Sequence, residues 1–389
     1  VTKGNVYLAG LAGSSTGIAS SGFQNTIGGM SDAFLVKFDA AGNRQWATYY
    51  GGTAIDEGYS VATDASGNIF LAGTTASTAS IASGGFQNSY GGGASDAFLV
   101  KFDSTGARLW STYYGGGGDE IQLFASDLTV TTDAAGNSYL SGITTSTSGI
   151  ASGGFQNTYG GGSGDAFLVK FDPAGNRIWS TYYGGSGLDR AYCASVDLNG
   201  NIFLAGRTDS PGGVSNNGFQ NGFGGSLDLF LVKFDASGNR HCATYFGGAG
   251  VDDCNSVVAG NDGTVYTCGG TENTTGIAFN GFQNNHGGGT SDAMLIRFTT
   301  SCELSGLHDL GAAQVKCYPN PSNGNMTLIT GKSENGIVEM YDAASRQIFS
   351  QPFNGPEAVL HLQAAEPGIY TLKVMQKEQT RFIKLLITN

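Results

Sequence analysis

The sequence is poor in proline, in charged residues and in long apolar runs, and each shortage excludes a class of protein. Only 7 of the 389 residues are proline, so neither a collagen helix nor a proline-rich linker fits. Charged residues make up 13%, and the formal net charge of −12 disfavours nucleic acid and anionic membrane surfaces as partners. No stretch approaches the roughly 18 consecutive apolar residues of a membrane-spanning helix.

Cysteine is also scarce: all 6 cysteines lie from Cys193 onward and none forms a CxxC pair, which argues against a zinc site or a thioredoxin-type motif. Two disulfides are candidates. Cys242 and Cys254 could face each other across a hairpin, and Cys302 and Cys317 bracket the segment after the last repeat. A disulfide would imply an oxidising compartment, and buried free thiols are the alternative.

What the chain does have is a repeat. Five near copies of a segment such as GGFQNSYGGGASDAFLVKFD place the Phe of FQN at Phe23, Phe86, Phe155, Phe219 and Phe282, with spacings of 63, 69, 64 and 63 residues. Each period holds four strand-like runs of the types NIFLAG, DAFLVKF, RLWSTYYGG and FASDLTVTTD, and no helical period is sustained. Turns of the type FDAAGNR, with Asp first and Gly fourth, join the runs.

These runs predict an all-β fold, a β-propeller of four-stranded blades. A meander that is apolar on both faces must stack on neighbours, and DAFLVKF should contact both adjacent blades. About five blades are visible and one is incomplete. The runs total two strands fewer than five full blades need, and we place the missing two before Val1. An upstream segment, a larger ring and a blade shared between the termini all remain open.

After residue 301 the composition changes, and alternating apolar residues predict a small C-terminal β-sandwich. The predicted organisation is a propeller over 1–301, a linker over 302–314 and the sandwich over 315–389. Within the propeller the repeats span about 1–64, 65–133, 134–197, 198–261 and 262–301.

No catalytic site is predicted. Gly13–Gly17 matches G-x-S-x-G, but it lies in a Ser/Thr/Gly loop where a nucleophile elbow needs a following helix. None of the 4 histidines recurs or has a metal-ligand partner at helical spacing. No cofactor is predicted either. Asp189 and Asp252 end partial G-G-x-G-x-D motifs and are weak candidates for an isolated Ca²⁺, although capping of the turn after the YYGG strand is the better explanation.

The long FQN loops are the best candidates for recognition, because they should project from equivalent places on every blade. Their amides could bind hydroxyl-rich ligands such as glycans, or they could lock the loop itself. The candidate ligand-binding residues are Gln24, Asn25, Gln87, Asn88, Gln156, Asn157, Gln220, Asn221, Gln283 and Asn284.

Two resemblances to known families add to this interpretation. The GN-[IV]-[FY]-LAG, SDAFLVKFD and W-x-TYYGG segments resemble the SBBP repeats of bacterial secreted propellers. The C-terminal block resembles the type A sorting domain of the type IX secretion system of Bacteroidota. The residues that carry the second resemblance are Tyr318, Pro319, Asn320, Pro321, Gly324, Gly368, Tyr370 and Lys384.

The second resemblance implies an export signal that is read by outer-membrane machinery and typically removed by a sortase-like protease. The sequence therefore predicts a protein exported through the periplasm to the cell surface or the extracellular space. We expect a non-catalytic binding or adhesion module whose ligands are glycans or surface proteins. A polysaccharide- or protein-degrading enzyme with its site at the propeller axis and a structural or filament subunit are the alternatives.

Overall fold

A computed structural model describes residues 4–120, 128–260, 263–278, 281, 283–299, 302, 316–318, 325–330, 335–342, 346–362, 366–377 and 379–387. The chain divides into two units, Val1–Gly306 and Leu307–Asn389. Every regular element in the described ranges is a β-strand. Within those ranges no helix is long and apolar enough to cross a membrane.

The first unit contains eighteen strands in the described residues. They are β1 Val6–Ala12, β2 Asp32–Phe38, β3 Arg44–Tyr50, β4 Asp56–Thr63, β5 Ile69–Thr75, β6 Asp96–Phe102, β7 Arg108–Tyr114, β8 Thr129–Thr132, β9 Ser138–Thr144, β10 Asp165–Phe171, β11 Arg177–Tyr183, β12 Asp189–Val196, β13 Ile202–Thr208, β14 Asp228–Phe234, β15 Arg240–Phe246, β16 Asp252–Ala259, β17 Thr264–Thr271 and β18 Asp292–Thr299.

These strands form five antiparallel meanders, which we call sheets 1 to 5. Sheet 1 is β1-β2-β3, sheet 2 is β4-β5-β6-β7, sheet 3 is β8-β9-β10-β11, sheet 4 is β12-β13-β14-β15 and sheet 5 is β16-β17-β18. The first strands of sheets 2 to 5 contact one another in succession. Sheets that meet along their first strands are arranged as propeller blades, which confirms the predicted fold class.

The sheets are one strand out of phase with the repeats that the sequence suggested. Each FASDLTVTTD-type run, placed at the end of a repeat, is hydrogen-bonded into the next sheet, as β4 is to β5. In the described residues sheet 1 lacks its first strand and sheet 5 lacks its fourth. The placement of both missing strands before Val1 stays a prediction.

Each inner sheet is apolar on both faces because side chains alternate along its strands. In β6, Phe98 and Val100 pack against residues of sheet 1, whereas Leu99 packs against sheet 3. All three side chains are fully buried. The prediction that the DAFLVKF strand contacts both adjacent blades is therefore confirmed. Burial of apolar side chains on both faces stabilises the packing of successive sheets.

In sheets 1 to 3 a tryptophan on the last strand packs against and hydrogen-bonds to the next sheet. Trp46, Trp110 and Trp179 donate from Nε1 to turn carbonyls of Ser104, Pro173 and Ala236, at 3.2, 3.0 and 3.0 Å. The glycine of the same turn lies against the indole ring: a Cβ on Gly175 would lie 2.7 Å from Trp110, and its φ of +88° favours glycine.

Between sheets 4 and 5 a disulfide replaces this Trp–Gly contact. Cys242 occupies the tryptophan position of β15, and Cys302, with φ of 60°, occupies the glycine position of the turn after β18. The two are joined by a disulfide with a Cα–Cα distance of 5.8 Å. One covalent bond thus takes over a contact that the other junctions make without covalent linkage.

This pairing corrects both predicted disulfides. Cys242 and Cys254 do not face each other, because β15 and β16 belong to different sheets and are not a hairpin. Cys254 is instead a buried free thiol, 4.0 Å from the sulfur of Cys193. Cys302 bonds to Cys242 and therefore not to Cys317. The predicted linker over 302–314 lies outside the described residues apart from Cys302.

The second unit contains two sheets around one core. Its strands are β19 Lys316–Tyr318, β20 Asn325–Ile329, β21 Gly336–Tyr341, β22 Gln347–Phe353, β23 Glu357–His361, β24 Gly368–Gln376 and β25 Gln379–Ile387. The sheet orders are β19-β20-β23 and β22-β21-β24-β25. Leu328 and Leu360 of the first sheet share a buried cluster with Val338, Leu372 and Leu385 of the second. This is the predicted β-sandwich.

Candidate functional site

The glutamine of each of the first four FQN loops is partly buried and hydrogen-bonded within the fold. Gln156 donates from Nε2 to the Thr158 carbonyl at 3.1 Å and to Asp165 Oδ2 at 3.2 Å, and its Oε1 accepts from the Gly184 amide at 3.2 Å. Its backbone amide donates to Thr181 Oγ1 at 2.8 Å. Equivalent bonds to the aspartate and the glycine recur at Gln24, Gln87 and Gln220.

The asparagine that follows is exposed but bonded locally. Asn157 donates from Nδ2 to the carbonyl of Gly154 at 2.8 Å, and Asn25, Asn88, Asn221 and Asn284 repeat this bond. In the fifth loop Gln283 is exposed and donates from Nε2 to the Asn285 carbonyl at 2.9 Å. The amides therefore stabilise the loop, and their part in ligand binding stays a prediction.

Replacing Gln156 with alanine should lower the free energy of unfolding by about 2 kcal/mol. The buried Asp165 carboxyl group loses a hydrogen bond, and the Gly184 amide loses its acceptor. Gln283→Ala is the matched control, since the same residue type in the fifth loop is exposed. We expect a change below about 0.5 kcal/mol there. Urea unfolding followed by tryptophan fluorescence measures both. Equal losses in the two variants would contradict a structural role specific to the inner loops.

The phenylalanines of the first four FQN loops are half-exposed, and three of them lie under an arginine of the next sheet. The exposed fractions of Phe23, Phe86, Phe155 and Phe219 are 42%, 39%, 41% and 52%. The guanidinium carbons of Arg108, Arg177 and Arg240 lie 4.5, 4.2 and 4.2 Å from the ring centroids of Phe23, Phe86 and Phe155. The first unit thus carries a row of equivalent aromatic rings, and a cation–π contact stiffens three of them, Phe23, Phe86 and Phe155.

A second recurring feature is a pair of buried carboxyl groups at each junction between sheets. The pairs are Asp32 with Asp56, Asp96 with Glu120, Asp165 with Asp189, and Asp228 with Asp252, and all eight side chains are fully buried. Sequence analysis missed the first member of every pair. The signal was available, because an aspartate opens every DAFLVKF-type run.

The second pair shows how the groups are held. Asp96 accepts from the Gly91 amide at 2.6 Å, and Glu120 accepts from Thr144 Oγ1 at 2.7 Å and from Ser146 Oγ at 2.5 Å. The other oxygen of each carboxyl has no hydrogen-bond partner. Both of these oxygens face Gly115, where an added Cβ would lie 2.3 Å from Glu120 Oε2 and 2.6 Å from Asp96 Oδ1.

Burial is the largest cause of the raised pKa values of these groups. It raises the pKa of Glu120 to about 8, and the neighbouring Asp96 carboxylate adds to the shift. Burial likewise raises the pKa of Asp96 to about 6, of Asp165 to about 7 and of Asp228 to about 6. A carboxyl that stays protonated avoids two negative charges side by side in a site shielded from water.

The calcium candidates Asp189 and Asp252 are the second members of such pairs. Asp189 accepts from the Gly185 amide and from Ser210 Oγ, and Asp252 accepts from the Gly248 amide and from Asn273 Nδ2. These bonds cap the turn after each YYGG-type strand. In the described ranges no group of three or more His, Cys, Asp or Glu is arranged to hold a metal ion. Calcium binding stays an untested prediction.

Two described histidines of the first unit, His241 and His286, contact residues other than these carboxyl pairs. His241 is exposed on β15, with Nε2 3.3 Å from Asp235 Oδ2. His286 accepts a hydrogen bond from the Gly288 amide at 3.1 Å. Ser14 of the G-x-S-x-G segment donates to the Thr16 carbonyl in an exposed turn.

The predicted sorting residues are only partly described. Tyr318 ends β19, Gly368 begins β24, and Lys384 of β25 is the register partner of Thr371. Tyr370 donates from its hydroxyl to the Glu366 carbonyl at 2.6 Å. Pro319, Asn320, Pro321 and Gly324 lie outside the described residues.

Two family models match parts of the chain. Residues 316–388 match the secretion system C-terminal sorting domain, and residues 45–78 match the beta-propeller repeat named SBBP. The second range covers most of β3 and all of β4 and β5, and so crosses from sheet 1 to sheet 2. Both resemblances found in the sequence are confirmed. The sorting-domain match indicates export by the type IX secretion system to the cell surface or the extracellular space.

No curated protein matches the sequence significantly. Among solved structures, PorZ, an essential bacterial surface component of the type IX secretion system of Porphyromonas gingivalis, is 13% identical at a TM-score of 0.30. The alignment covers 100% of this chain and 59% of the PorZ chain.

Two further solved structures show weaker likeness. The dihydro-heme d1 dehydrogenase NirN in complex with DHE is 10% identical at a TM-score of 0.25, over 86% of this chain and 66% of its own. Dimeric latent PorU from Porphyromonas gingivalis is 10% identical at a TM-score of 0.17. The alignment covers 85% of this chain and 32% of the PorU chain. We base no structural or functional argument on likenesses at these TM-scores.

Proposed function

We propose that this exported protein is a non-catalytic binding module that recognises glycans at the cell surface through the row of FQN loops. The observation that carries the proposal is the set of four half-exposed phenylalanines at equivalent positions of sheets 1 to 4. Aromatic rings bind sugars by stacking on their apolar C–H faces, and here the flanking loops supply hydroxyl and amide groups. Repeated equivalent sites also favour multivalent binding to repetitive ligands.

The enzyme alternative has less support. At least one carboxyl of each buried pair has a raised pKa, as is typical of general acids, but the pairs recur at all four junctions and face glycines of the backbone. A catalytic group is needed once, and it needs access to substrate. Repetition together with complete burial favours a structural role for these pairs.

A glycan array probed with the full chain tests the proposal. The double variant Phe86→Ala/Phe155→Ala should lose about tenfold or more in affinity, whereas Leu109→Ala/Ile178→Ala should not. Leu109 and Ile178 are comparably exposed apolar residues, at 53% and 51%, on the outer strands β7 and β11. Phe86→Tyr/Phe155→Tyr should keep the affinity. No binding to any glycan, or an equal loss in the leucine–isoleucine control, would overturn the proposal.

The proposal includes the handling of the second unit after export. The sorting-domain match supports recognition of residues 316–388 by outer-membrane machinery, followed by removal by a sortase. The intact mass of the protein recovered from the culture medium tests the removal. A mass that still includes residues 316–388 would contradict it.

A further inference from the structure

Inside the chain the same sheet-on-sheet junction is built four times. The following sheet contributes a face made by its NIFLAG-type and DAFLVKF-type strands, as Leu71 and Val100 do in sheet 2. The preceding sheet contributes the opposite face, as Leu35 and Trp46 do in sheet 1. Within the described residues, sheets 1 and 5 each carry one of these faces without a covering sheet.

The face of sheet 1 that no sheet covers in the described residues, which we call the N-terminal face, carries Val6 and Leu8 of β1 beside Phe38 and the buried Val36 of β2. These residues are cross-strand partners of β1 and β2, so their side chains point to one side. Val6 and Leu8 are 56% and 52% exposed, whereas the equivalent Ile69 and Leu71 of sheet 2 are fully buried. The same chemistry that forms a junction in sheet 2 is therefore open to solvent in sheet 1.

The uncovered face of sheet 5, which we call the C-terminal face, comprises Val258, Tyr266 and Leu295 together with Ala293. Register places Val258 beside Tyr266 and Leu295 beside Cys268 on one side of the sheet. Leu295 is 76% exposed, and its equivalents Leu35, Leu99, Leu168 and Leu231 are fully buried. Sheets 1 and 5 of one chain thus do not cover each other.

We propose that the N-terminal face of one copy of this chain packs on the C-terminal face of a second copy, so that the copies associate head to tail. The two faces are complementary because they are the two halves of a junction that the chain already makes four times. Contiguous exposed apolar surface of this kind marks an interaction site. The faces differ, so the contact is heterologous and builds a ring if it closes or a filament if it does not.

The orientation of Arg44 supports a second copy of this chain as the partner. It is exposed at the start of β3, and its guanidinium donates to the carbonyls of Gly17 and Ile18 at 3.3 and 3.2 Å. Arg240, its equivalent in sheet 4, is anchored in the same way and also lies over Phe155 of the preceding sheet. Arg44 is therefore oriented to stack on an aromatic ring that a preceding sheet would supply.

Sedimentation velocity of the full chain over a range of concentrations tests the proposal. The average mass should rise with concentration, and Leu8→Glu or Leu295→Glu should each weaken association by about 100-fold by burying an unpaired charge. An equimolar mixture of the two variants should recover dimers and nothing larger, because one intact face remains on each. Leu198→Glu is the matched control, since Leu198 is also 76% exposed but lies in a turn of sheet 4.

A chain that stays monomeric at every concentration would overturn the proposal, and the faces would then belong to a different partner. Association that Leu295→Glu leaves unchanged would also overturn it, because two N-terminal faces would then be pairing with each other. Recovery of dimers in the mixture further shows that both variants are folded. Leu8 and Leu295 lie outside the FQN loops, so failure here leaves the glycan-binding proposal standing, and the reverse also holds.

Discussion

Replacing Cys242 with serine is expected to lower the free energy of unfolding of the first unit by about 4 kcal/mol, the entropic effect of opening a loop of this size. The disulfide to Cys302 spans a sequence separation of 60 residues. The disulfide also occupies the position where the other junctions have a tryptophan packed on a glycine. The serine variant therefore has neither a disulfide nor a Trp–Gly contact at this junction. Sheet 5, which lacks a fourth strand in the described residues, should detach first.

The measurement is urea unfolding followed by tryptophan fluorescence. All 3 tryptophans, Trp46, Trp110 and Trp179, belong to the first unit, so the signal reports that unit alone. Cys268→Ser is the matched control, because Cys268 is a free thiol on β17. Reductant should bring the wild-type midpoint down to that of Cys242→Ser and leave the variant unchanged. If the wild type and Cys242→Ser unfold at the same urea concentration without reductant, the disulfide does not contribute to the stability of the first unit.

Raising the pH from about 5 to about 9 is expected to destabilise the first unit by several kcal/mol. Burial raises the pKa of Asp96 and Asp228 to about 6, of Asp165 to about 7 and of Glu120 to about 8. In the unfolded chain these carboxyls release their protons near pH 4. The folded state therefore binds more protons than the unfolded state between these pH values. The stabilising contribution of these groups is complete below about pH 4 and is lost as the pH rises through about 6 to 8.

Glu120→Gln isolates the largest contribution to this pH dependence. A neutral amide of the same shape keeps the buried site uncharged, so the variant should gain on the order of 3 kcal/mol over the wild type at about pH 9. Near pH 4 the two proteins should be equally stable. Glu272→Gln, which changes an exposed glutamate beyond β17, is the control and should track the wild type at every pH. Stability that rises with pH would contradict the proposed protonation of the pairs.

The sequence was most informative where structure depends on neighbours along the chain. The Asp-x-x-Gly-Asn turns are formed as predicted: Asp39 Oδ1 accepts from the amides of Ala41 and Asn43, each at 2.9 Å, and Gly42 has φ of +81°. The strands follow from alternation and from β-branched and aromatic content. Turn chemistry and alternation act over a few residues, so they can be read without coordinates.

The sequence failed where partners lie far apart. The run after each YYGG segment is adjacent in sequence to the strand before it, yet β4 pairs with β5, because the chain passes from the outer strand of one sheet to the inner strand of the next. The predicted Cys242–Cys254 pair rested on the wrong adjacency and failed with it. The carboxyl pairs were missed for the same reason, since their members meet only when two sheets stack.

By itself, then, the sequence determined the strands, the turns, the propeller repeat and the export domain, since local backbone preference and a repeated apolar pattern encode them. Only the tertiary structure decided which strands share a sheet and which cysteines bond. It also decided that the FQN glutamines are bonded inside the loops, and that sheets 1 and 5 each keep one uncovered face. Those outcomes depend on contacts between residues that are distant along the chain, such as Gln156 with Gly184, 28 positions apart, and Cys242 with Cys302, 60 apart, and no short stretch of the chain specifies such contacts.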